Sequence, residues 1–398
     1  MITIGVPYVI DQFAKSRLVA EININGVVTE VWFEVDQEYR EYLTWERSDA
    51  FVIGILHYAM CHGHDITCKQ CLSEELYYQI DTYLIDAMVS ESPKLYRTRI
   101  FADVDSNSLP CANAVGTGIS CGIDSFHAVA CHSDSIFSKR NITHLAFNNV
   151  GSHGCEEKAK VLYEGRKNLA KRFAEEYNYK FILSNSNIHE VIIQSHFFTH
   201  TFTSCFAIYC LQKLYSVYYY ASGSTINEFS LKNLDRSDSC HYELLIFYCF
   251  SQRNLKLYSE GANSTRLEKT RQVQKFAPSF KYLNVCLNTV DNCGKCNKCI
   301  RTLLALDSLD ALNKYESVFD IPYYKEHKQW YYKHLIAETI TRNPMFKGVY
   351  HPLRKRIRLS TYIVGFFLAL EHMGRLFVST HFSSKTKKRI KRLIGYSE

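Results

Sequence analysis

The chain has little proline and glycine for its length, 7 and 17 of 398 residues. Long flexible linkers and collagen-like chains are rich in both, so this scarcity excludes those classes. The longest apolar run, Leu359–Leu370, has twelve residues, whereas a single helix needs about 20 to span a bilayer. With 46% hydrophobic and 22% charged residues, the composition is that of a globular protein with about two or three domains.

A secretory signal is also missing. The segment Met1–Leu18 carries Asp11 among its apolar residues and has no small-residue cleavage site. We therefore expect a cytoplasmic protein with reduced cysteines. In a reducing compartment, a set of 15 cysteines indicates metal binding or redox chemistry rather than a disulfide framework.

Residues 1–111 have the pattern of an α+β domain. The dipeptide Asn25-Gly26 separates two apolar, alternating segments, which predicts a tight β-hairpin. Two helices are expected to follow, the first ending near His62 and the second near Val89.

From residue 112 to about residue 306, short apolar strands alternate with amphipathic helices. The predicted strands cover residues 112–119, 142–147, 179–183 and 216–221. Strands that alternate with helices pair in parallel, so we predict an α/β fold with a doubly wound parallel sheet. Ligands of such sheets bind beyond the carboxyl ends of the strands.

A serine- and glycine-containing loop, Ser120-Cys-Gly-Ile-Asp-Ser125, follows the first of these strands. Gly122 lets the backbone approach a phosphate, and the two serines offer hydroxyl donors at a helix N-terminus. Asp124 can hold Mg²⁺ against phosphate oxygens. The dinucleotide fingerprint misses its third glycine by one residue, and the chain contains no Walker-type loop. A turn that merely caps a helix is the alternative interpretation.

The strongest signal is a cysteine cluster with the spacing C-x6-C-x2-C-x2-C. Its members are Cys286, Cys293, Cys296 and Cys299. Four thiolates at this spacing can form a tetrahedral Zn²⁺ site, which would be structural because it leaves no open position. A [4Fe–4S] cluster also takes four thiolates, and unliganded buried cysteines are the remaining alternative.

Together, the two motifs resemble those of the PP-loop ATP pyrophosphatases (adenine nucleotide α-hydrolase-like proteins), and most of all the 7-cyano-7-deazaguanine synthase family. That family couples an S-G-G-x-D-S loop to a C-terminal C-x(n)-C-x2-C-x2-C zinc site, in the order seen here. The similarity covers residues 112–306; residues 1–111 and the helical, basic region 307–398 have no counterpart in it.

Cys121 departs from the family pattern, which has glycine at this position. Three consequences are open. The backbone tolerates a small side chain, nucleotide binding is weakened, or the thiol at a helix N-terminus has a lowered pKa and is reactive.

The resemblance implies a Rossmann-like domain that binds ATP with Mg²⁺, with adenine held at the second strand and a further nucleotide-facing loop after the fourth. The nucleotide-binding residues that it implies are Ser120, Cys121, Gly122, Ile123, Asp124, Ser125, Phe147, Asn148 and Gly223. The catalytic residues that it implies are Ser120, Asp124, Ser125, Arg266 and Lys269, the last two near a substrate phosphate or carboxylate.

The implied reaction is adenylation of a carboxylate or carbonyl oxygen with release of pyrophosphate, after which a nitrogen nucleophile displaces AMP. The acidic substrate would be a small molecule, a glycan or a protein carboxylate. Two alternatives remain open. One is a PP-loop tRNA sulfur transferase that carries a persulfide on Cys121, Cys68 or Cys71, and the other is a non-catalytic, zinc-stabilised binding module.

Two weaker patterns concern metals. Cys61, Cys68 and Cys71 could form a second metal site beside two histidines. His196 and His200 are spaced as on one helix face, where packing or substrate contact is favoured over a metal.

The C-terminal segment, residues 342–398, holds 13 Lys+Arg and two acids and carries a charge of +11, against −4 for the rest of the chain. One interpretation is an anionic membrane surface, on which the apolar run would lie. The second is RNA, whose phosphates the basic clusters would bind. The third is a helix docked on the body of the protein, followed by a solvated basic tail. A homo-oligomer also remains possible.

Overall fold

A computed structural model of the chain describes residues 1–152 and 157–381. The chain divides into two compact units, Met1–Ser264 and Thr265–Glu398. This division differs from the boundaries expected after residues 111 and 306. The first boundary falls inside a region joined by one sheet, and the second falls inside a helix, Asn297–Ser308.

The first unit contains all the strands of the described residues. These are β1 (Ile2–Ile4), β2 (Tyr8–Gln12), β3 (Lys15–Ile24), β4 (Val27–Asp36), β5 (Ile66–Cys68), β6 (Leu72–Ser73), β7 (Ile100–Phe101), β8 (Val104–Asp105), β9 (Ala114–Gly118), β10 (His144–Asn149), β11 (Lys180–Ser186), β12 (Tyr215–Ala221) and β13 (Lys256–Glu260). Its helices are α1 (Asp49–His62), α2 (Glu74–Gln79), α3 (Ile85–Ser90), α4 (Ile123–His132), α5 (Glu157–Glu176), α6 (Ile188–Val191), α7 (His196–Cys210) and α8 (Glu243–Phe250).

One large mixed sheet organises this unit. Its strand order is β13-β12-β9-β10-β11-β4-β3-β1-β5-β7, with β2 paired to β3. The five strands from β13 to β11 are parallel, and β9, the first of them in the chain, lies in their middle. The predicted parallel sheet of an α/β fold is therefore confirmed for this half. Its order reverses between β9 and β12, which is the switch point where doubly wound sheets bind ligands.

The N-terminal hairpin extends the same sheet. Asn25 and Gly26 have φ values of 52° and 94°, as a two-residue hairpin turn requires, and β4 continues into antiparallel pairing with β11. Val31, Phe33 and Val35, whose alternation predicts one buried face, are all 0% exposed. Residues 1–111 therefore contribute strands to the same sheet as β9, which precedes the predicted phosphate loop.

The two helices expected in this segment are present. Helix α1 begins after Ser48 and ends at His62, as predicted for its end. The second begins after Ser73, whose Oγ accepts a hydrogen bond from Leu76 N, but a π-helical turn over residues 80–84 separates α2 from α3. The expected single helix to Val89 is thus two helices joined by a wider turn.

The second unit is helical. Its helices are α9 (Arg266–Val273), α10 (Pro278–Tyr282), α11 (Asn297–Ser308), α12 (Ile321–Glu326), α13 (Lys328–Ile340), α14 (Tyr350–Leu353) and α15 (Leu359–His381). The basic residues between Lys385 and Arg392 lie outside the described residues. Among the helices of the described ranges, none combines the length and apolarity needed to cross a membrane.

A buried carboxylate holds this helical unit together. Asp307, on α11, accepts hydrogen bonds from the hydroxyls of Tyr324 and Tyr332 at 2.9 and 2.7 Å. Arg356 forms an ion pair with it at 3.1 Å. Since Asp307 is 3% exposed, losing these partners would leave a buried charge uncompensated.

Close packing around β9 gives a first prediction. A Cβ on Gly116 would lie 2.5 Å from Tyr215 Cε1 and 2.9 Å from Tyr218 Cδ2. We expect Gly116→Ala to lower the free energy of unfolding by about 1–3 kcal/mol, because the two rings must shift. Gly118→Ala is the control, since its Cβ would meet nothing nearer than 3.7 Å. Urea denaturation checks this, and equal losses in the two variants would contradict it.

Candidate functional site

The predicted phosphate loop joins β9 to α4 at the switch point of the sheet. Ile119 N donates to Ala146 O at 2.9 Å, which holds the start of the loop against β10. Gly122 is the N-cap of α4, and its carbonyl accepts a hydrogen bond from Phe126 N at 3.0 Å. The loop therefore ends at the N-terminus of a ten-residue helix, where backbone N–H groups and the helix dipole favour an anion.

Two serine hydroxyls converge at this helix end. Ser120 Oγ lies 3.3 Å from Ser125 Oγ and accepts a hydrogen bond from Gly122 N at 3.4 Å. Ser125 is 3% exposed, whereas Ser120 is exposed to solvent. Asp124, in the first turn of α4, is half-buried. Hydroxyls, a carboxylate and helix N–H groups thus share one surface.

Cys121 occupies a left-handed position in this loop, with φ 57° and no exposed surface. Glycine adopts such a backbone without strain, whereas a residue with a side chain does so at some cost. Burial raises the pKa of the Cys121 thiol, so the hypothesis of a reactive thiol with a lowered pKa is wrong. Ile123 is also buried, at 3% exposed. Both side chains fix the loop to the core, and only their backbone atoms can face a ligand.

The structure places Phe147, Asn148 and Gly223 at the same edge of the sheet. Gly118 pairs with Ala146, so the two following residues of β10 extend beyond the end of β9. The Phe147 ring packs on Tyr163 at 5.6 Å, so its backbone, not its ring, borders the edge. Gly223 follows β12 and has nothing within 4 Å of an added Cβ, as expected for an open loop.

Arg266 and Lys269 belong to the second unit. Both lie on α9, whose N-cap Thr265 forms a capping box with Glu268. Lys269 is 2% exposed and Arg266 is half-buried. The predicted basic pair therefore lies on one short helix of the second unit.

A histidine–carboxylate pair stands at the end of β12, and sequence reasoning did not find its partners. His200 Nδ1 lies 2.7 Å from Tyr220 Oη, and His200 Nε2 lies 2.7 Å from Asp238 Oδ1. Burial opposes ionisation of Asp238, but hydrogen bonds from His200 and Cys240 outweigh it and lower its pKa to about 2. Asp238 is 38 residues from His200, so no local motif could have indicated the pair.

A second unexpected group lies on α4. His132 Nε2 is 2.7 Å from Glu260 Oε2, and His127 Nδ1 is 3.7 Å from Glu260 Oε1. Cys131 Sγ lies 3.7 Å from His127 Nε2. These distances join α4 to the last residue of β13 and fix the orientation of the helix that begins at the phosphate loop.

The four-cysteine cluster of the second unit is brought together as predicted. Its ligand atoms all lie within 4.8 Å of one another. Cys286 Sγ and Cys296 Sγ are 3.9 Å apart, near the ~3.8 Å between thiolates that share a tetrahedral Zn²⁺ at 2.3 Å. Cys299 and Cys286 are buried, at 0% and 2% exposed. The cluster can hold a metal ion, and its all-thiolate composition fits zinc.

Backbone N–H groups point at these sulfurs. Cys293 Sγ accepts hydrogen bonds from Lys295 N and Cys296 N at 3.4 and 3.3 Å, and Gly294 has the left-handed φ of 71° that this turn requires. Burial raises the pKa of Cys286, but hydrogen bonds from Thr289 and backbone N–H groups bring it down to about 6. The surroundings therefore favour the thiolate, the form that binds a metal, at Cys286, whereas burial and neighbouring thiols raise the pKa of Cys293 and Cys299.

The second cysteine pattern, Cys61, Cys68 and Cys71, forms no such cluster among the described residues. Cys61 Sγ lies 3.8 Å from His57 Nδ1, and Cys71 Sγ donates to the carbonyl of Glu46. Burial raises the pKa of both Cys61 and Cys68. These cysteines are packed in the first unit.

Comparison with known proteins finds no matching family model, no matching curated protein and no matching solved structure.

For the cysteine cluster, we expect the full chain to bind one equivalent of zinc, measured by elemental mass spectrometry. Cys296→Ser should lose that equivalent and unfold the second unit, because the site ties residues 286–299 to α11. Cys111→Ser, in the first unit, is the control and should keep the metal. Cys296→His, which preserves a ligand, should retain zinc. Unchanged metal content in Cys296→Ser would contradict the site.

For the loop, we expect Cys121 to resist alkylation. Its raised pKa keeps the thiol neutral at about pH 8, and its burial blocks access. Iodoacetamide treatment followed by peptide mass mapping should modify Cys121 only after denaturation. Burial also raises the pKa of Cys131, to about 11, but this residue is exposed on α4, so the reagent can reach its sulfur and should modify it in the folded protein. Labelling of Cys121 in the folded chain would show that the loop opens.

Proposed function

We propose that this protein is an ATP-dependent adenylating enzyme that cleaves ATP to AMP and pyrophosphate. The observation that carries the proposal is the loop Ser120–Ser125 at the N-terminus of α4, next to the switch point between β9 and β12. This is the position where open α/β sheets bind ligands. The converging hydroxyls of Ser120 and Ser125 and the helix N-terminus suit a polyphosphate.

In this proposal, the loop binds the pyrophosphate portion of ATP. Backbone N–H groups of α4 and the Ser120 hydroxyl stabilise the leaving group, and Asp124 holds Mg²⁺, which neutralises phosphate charge. An oxygen of the substrate carboxylate attacks the α-phosphorus, and the bond to pyrophosphate breaks. A nitrogen nucleophile then attacks the activated carbon, and AMP leaves. Phe147, Asn148 and Gly223 border the site from the adjacent strand ends.

The second unit contributes stability and basic residues. The cysteine cluster binds zinc with four thiolates and leaves no position for a substrate, so zinc is structural in this proposal. Arg266 and Lys269 are the basic residues assigned to the substrate anion. The acidic substrate is a small molecule, a glycan or a protein carboxylate.

The sulfur-transfer alternative lacks support from the cysteines that it needs. A persulfide carrier requires an accessible thiolate, whereas Cys121 and Cys68 are buried with raised pKa values. Cys71 is half-buried, and burial raises its pKa as well. The interpretation as a binding module with a degenerate ATP site draws on Cys121 alone. That side chain points into the core, so it leaves the phosphate-facing backbone open.

The first test is binding of Mg·ATP by isothermal titration calorimetry. We expect Asp124→Asn to weaken the affinity at least tenfold, about 1.4 kcal/mol, because the metal-holding carboxylate is lost. Asp134→Asn is the matched control, an exposed carboxylate just after the other end of α4, and should not change affinity. ATP–pyrophosphate exchange with a panel of carboxylic acids then tests the reaction. Failure of the wild-type chain to bind Mg·ATP would overturn the proposal.

A further inference from the structure

Helix α15 of the second unit packs on α13 through a narrow face of small residues. Thr361 and Ala369 are 6% and 0% exposed. Between them, Gly365 allows close approach, since an added Cβ would lie 2.7 Å from Ile336 Cβ and 3.0 Å from Lys333 O. Thr361 Oγ1 also donates to Gln329 Oε1 at 2.7 Å. This face fixes which side of α15 points away from the unit.

The opposite side of α15 is apolar and exposed. Its large apolar side chains are between 41% and 80% exposed: Leu359, Ile363, Val364, Phe366, Phe367, Leu370 and Met373. Five of them follow one another at spacings of four and three residues, so they form a continuous stripe along the helix. A stripe of this kind on one exposed helix marks an interaction surface.

Basic residues stand where this stripe begins. Arg354, Lys355 and Arg358 immediately precede α15, and all three are exposed. The segment 342–398 carries 13 bases and two acids. An anionic partner with an apolar layer behind its charged surface would match both features.

We propose that α15 docks on the surface of an anionic lipid bilayer. The helix lies in the plane of the interface, with Ile363, Phe367 and their neighbours among the acyl chains, while the preceding arginines and lysine contact anionic headgroups. Charge complementarity favours this occupant over the others. A second copy pairing through the same stripe would bring two strongly basic segments together, and RNA would leave the apolar stripe in water.

The experiment is co-sedimentation of the full chain with vesicles. We expect binding to phosphatidylcholine vesicles containing about 30% phosphatidylserine to be at least tenfold stronger than to pure phosphatidylcholine. About 0.5 M NaCl should weaken it by a similar factor. The double variant Ile363→Gln/Phe367→Gln should reduce binding at least tenfold, because both side chains are more than half exposed and would lie among the acyl chains.

The chain offers a matched control for that variant. Ile136 and Phe137 are an isoleucine and phenylalanine of the first unit that are 92% and 67% exposed. Ile136→Gln/Phe137→Gln should bind vesicles like the wild type. Equal binding by the two double variants would overturn the proposal, as would equal binding to neutral and anionic vesicles.

Two further outcomes assign the stripe to another partner and overturn the bilayer. A dimer in sedimentation equilibrium that Ile363→Gln/Phe367→Gln dissociates, without vesicle binding, assigns it to a second copy. Salt-dependent RNA binding in the absence of vesicle binding assigns the basic residues to nucleic acid. Both measurements use the full chain, and circular dichroism confirms that each variant keeps the helical content of the wild type.

Discussion

The parallel hydrogen bonding of β9 between β10 and β12 is the constraint on which the candidate site depends. Because β9 comes first in the chain but lies in the middle of the parallel strands, the connections that follow must leave it in opposite directions. The segment after β9 therefore stands at the switch point of the sheet, where doubly wound sheets bind ligands. Thr117 Oγ1 donates a hydrogen bond to Tyr219 O at 2.7 Å. This side-chain hydrogen bond adds to the backbone pairing of β9 with β12.

In the second unit, one helix carries two cysteines of the candidate metal site and also the buried carboxylate. Cys296 and Cys299 stand at the start of α11, and Asp307 is near its end. Two tyrosine hydroxyls and Arg356 compensate the charge of Asp307, which α11 could not bury alone. The position of α11 is thus determined by polar contacts as well as by apolar packing.

Whether a feature of the fold or of the candidate site could be predicted from the sequence depends on how far apart in the chain the interacting residues are. The Asn25-Gly26 turn and the cysteine spacing depend on residues close in the chain, and the pattern of alternating strands and helices implies parallel pairing; these features were predictable. The antiparallel pairing of β4 with β11, in which Val35 lies opposite Ser184, was not predictable. The alternating pattern of a hairpin does not show which strand of a distant part of the chain it will pair with. The same holds for His200 and Asp238, whose contact depends on the tertiary fold.

The left-handed backbone of Cys121 illustrates the limit within a motif. The sequence has cysteine where the pattern that it resembles has glycine. Only the φ value of 57° and the complete burial of the side chain distinguish a tolerated anchor from a reactive thiol. A six-residue pattern specifies which atoms can face a ligand only when the direction of each side chain is known.

The pairing of β4 with β11 has a consequence for any fragment of the chain that lacks the N-terminal strands. Without residues 1–111, β11 would present unpaired N–H and C=O groups along one side, which is a template for intermolecular strand addition. The half that carries the predicted phosphate loop therefore depends on the N-terminal strands to complete its sheet. An exchange of the N-terminal segment would have to supply another strand in its place, or the isolated fragment would be prone to aggregate.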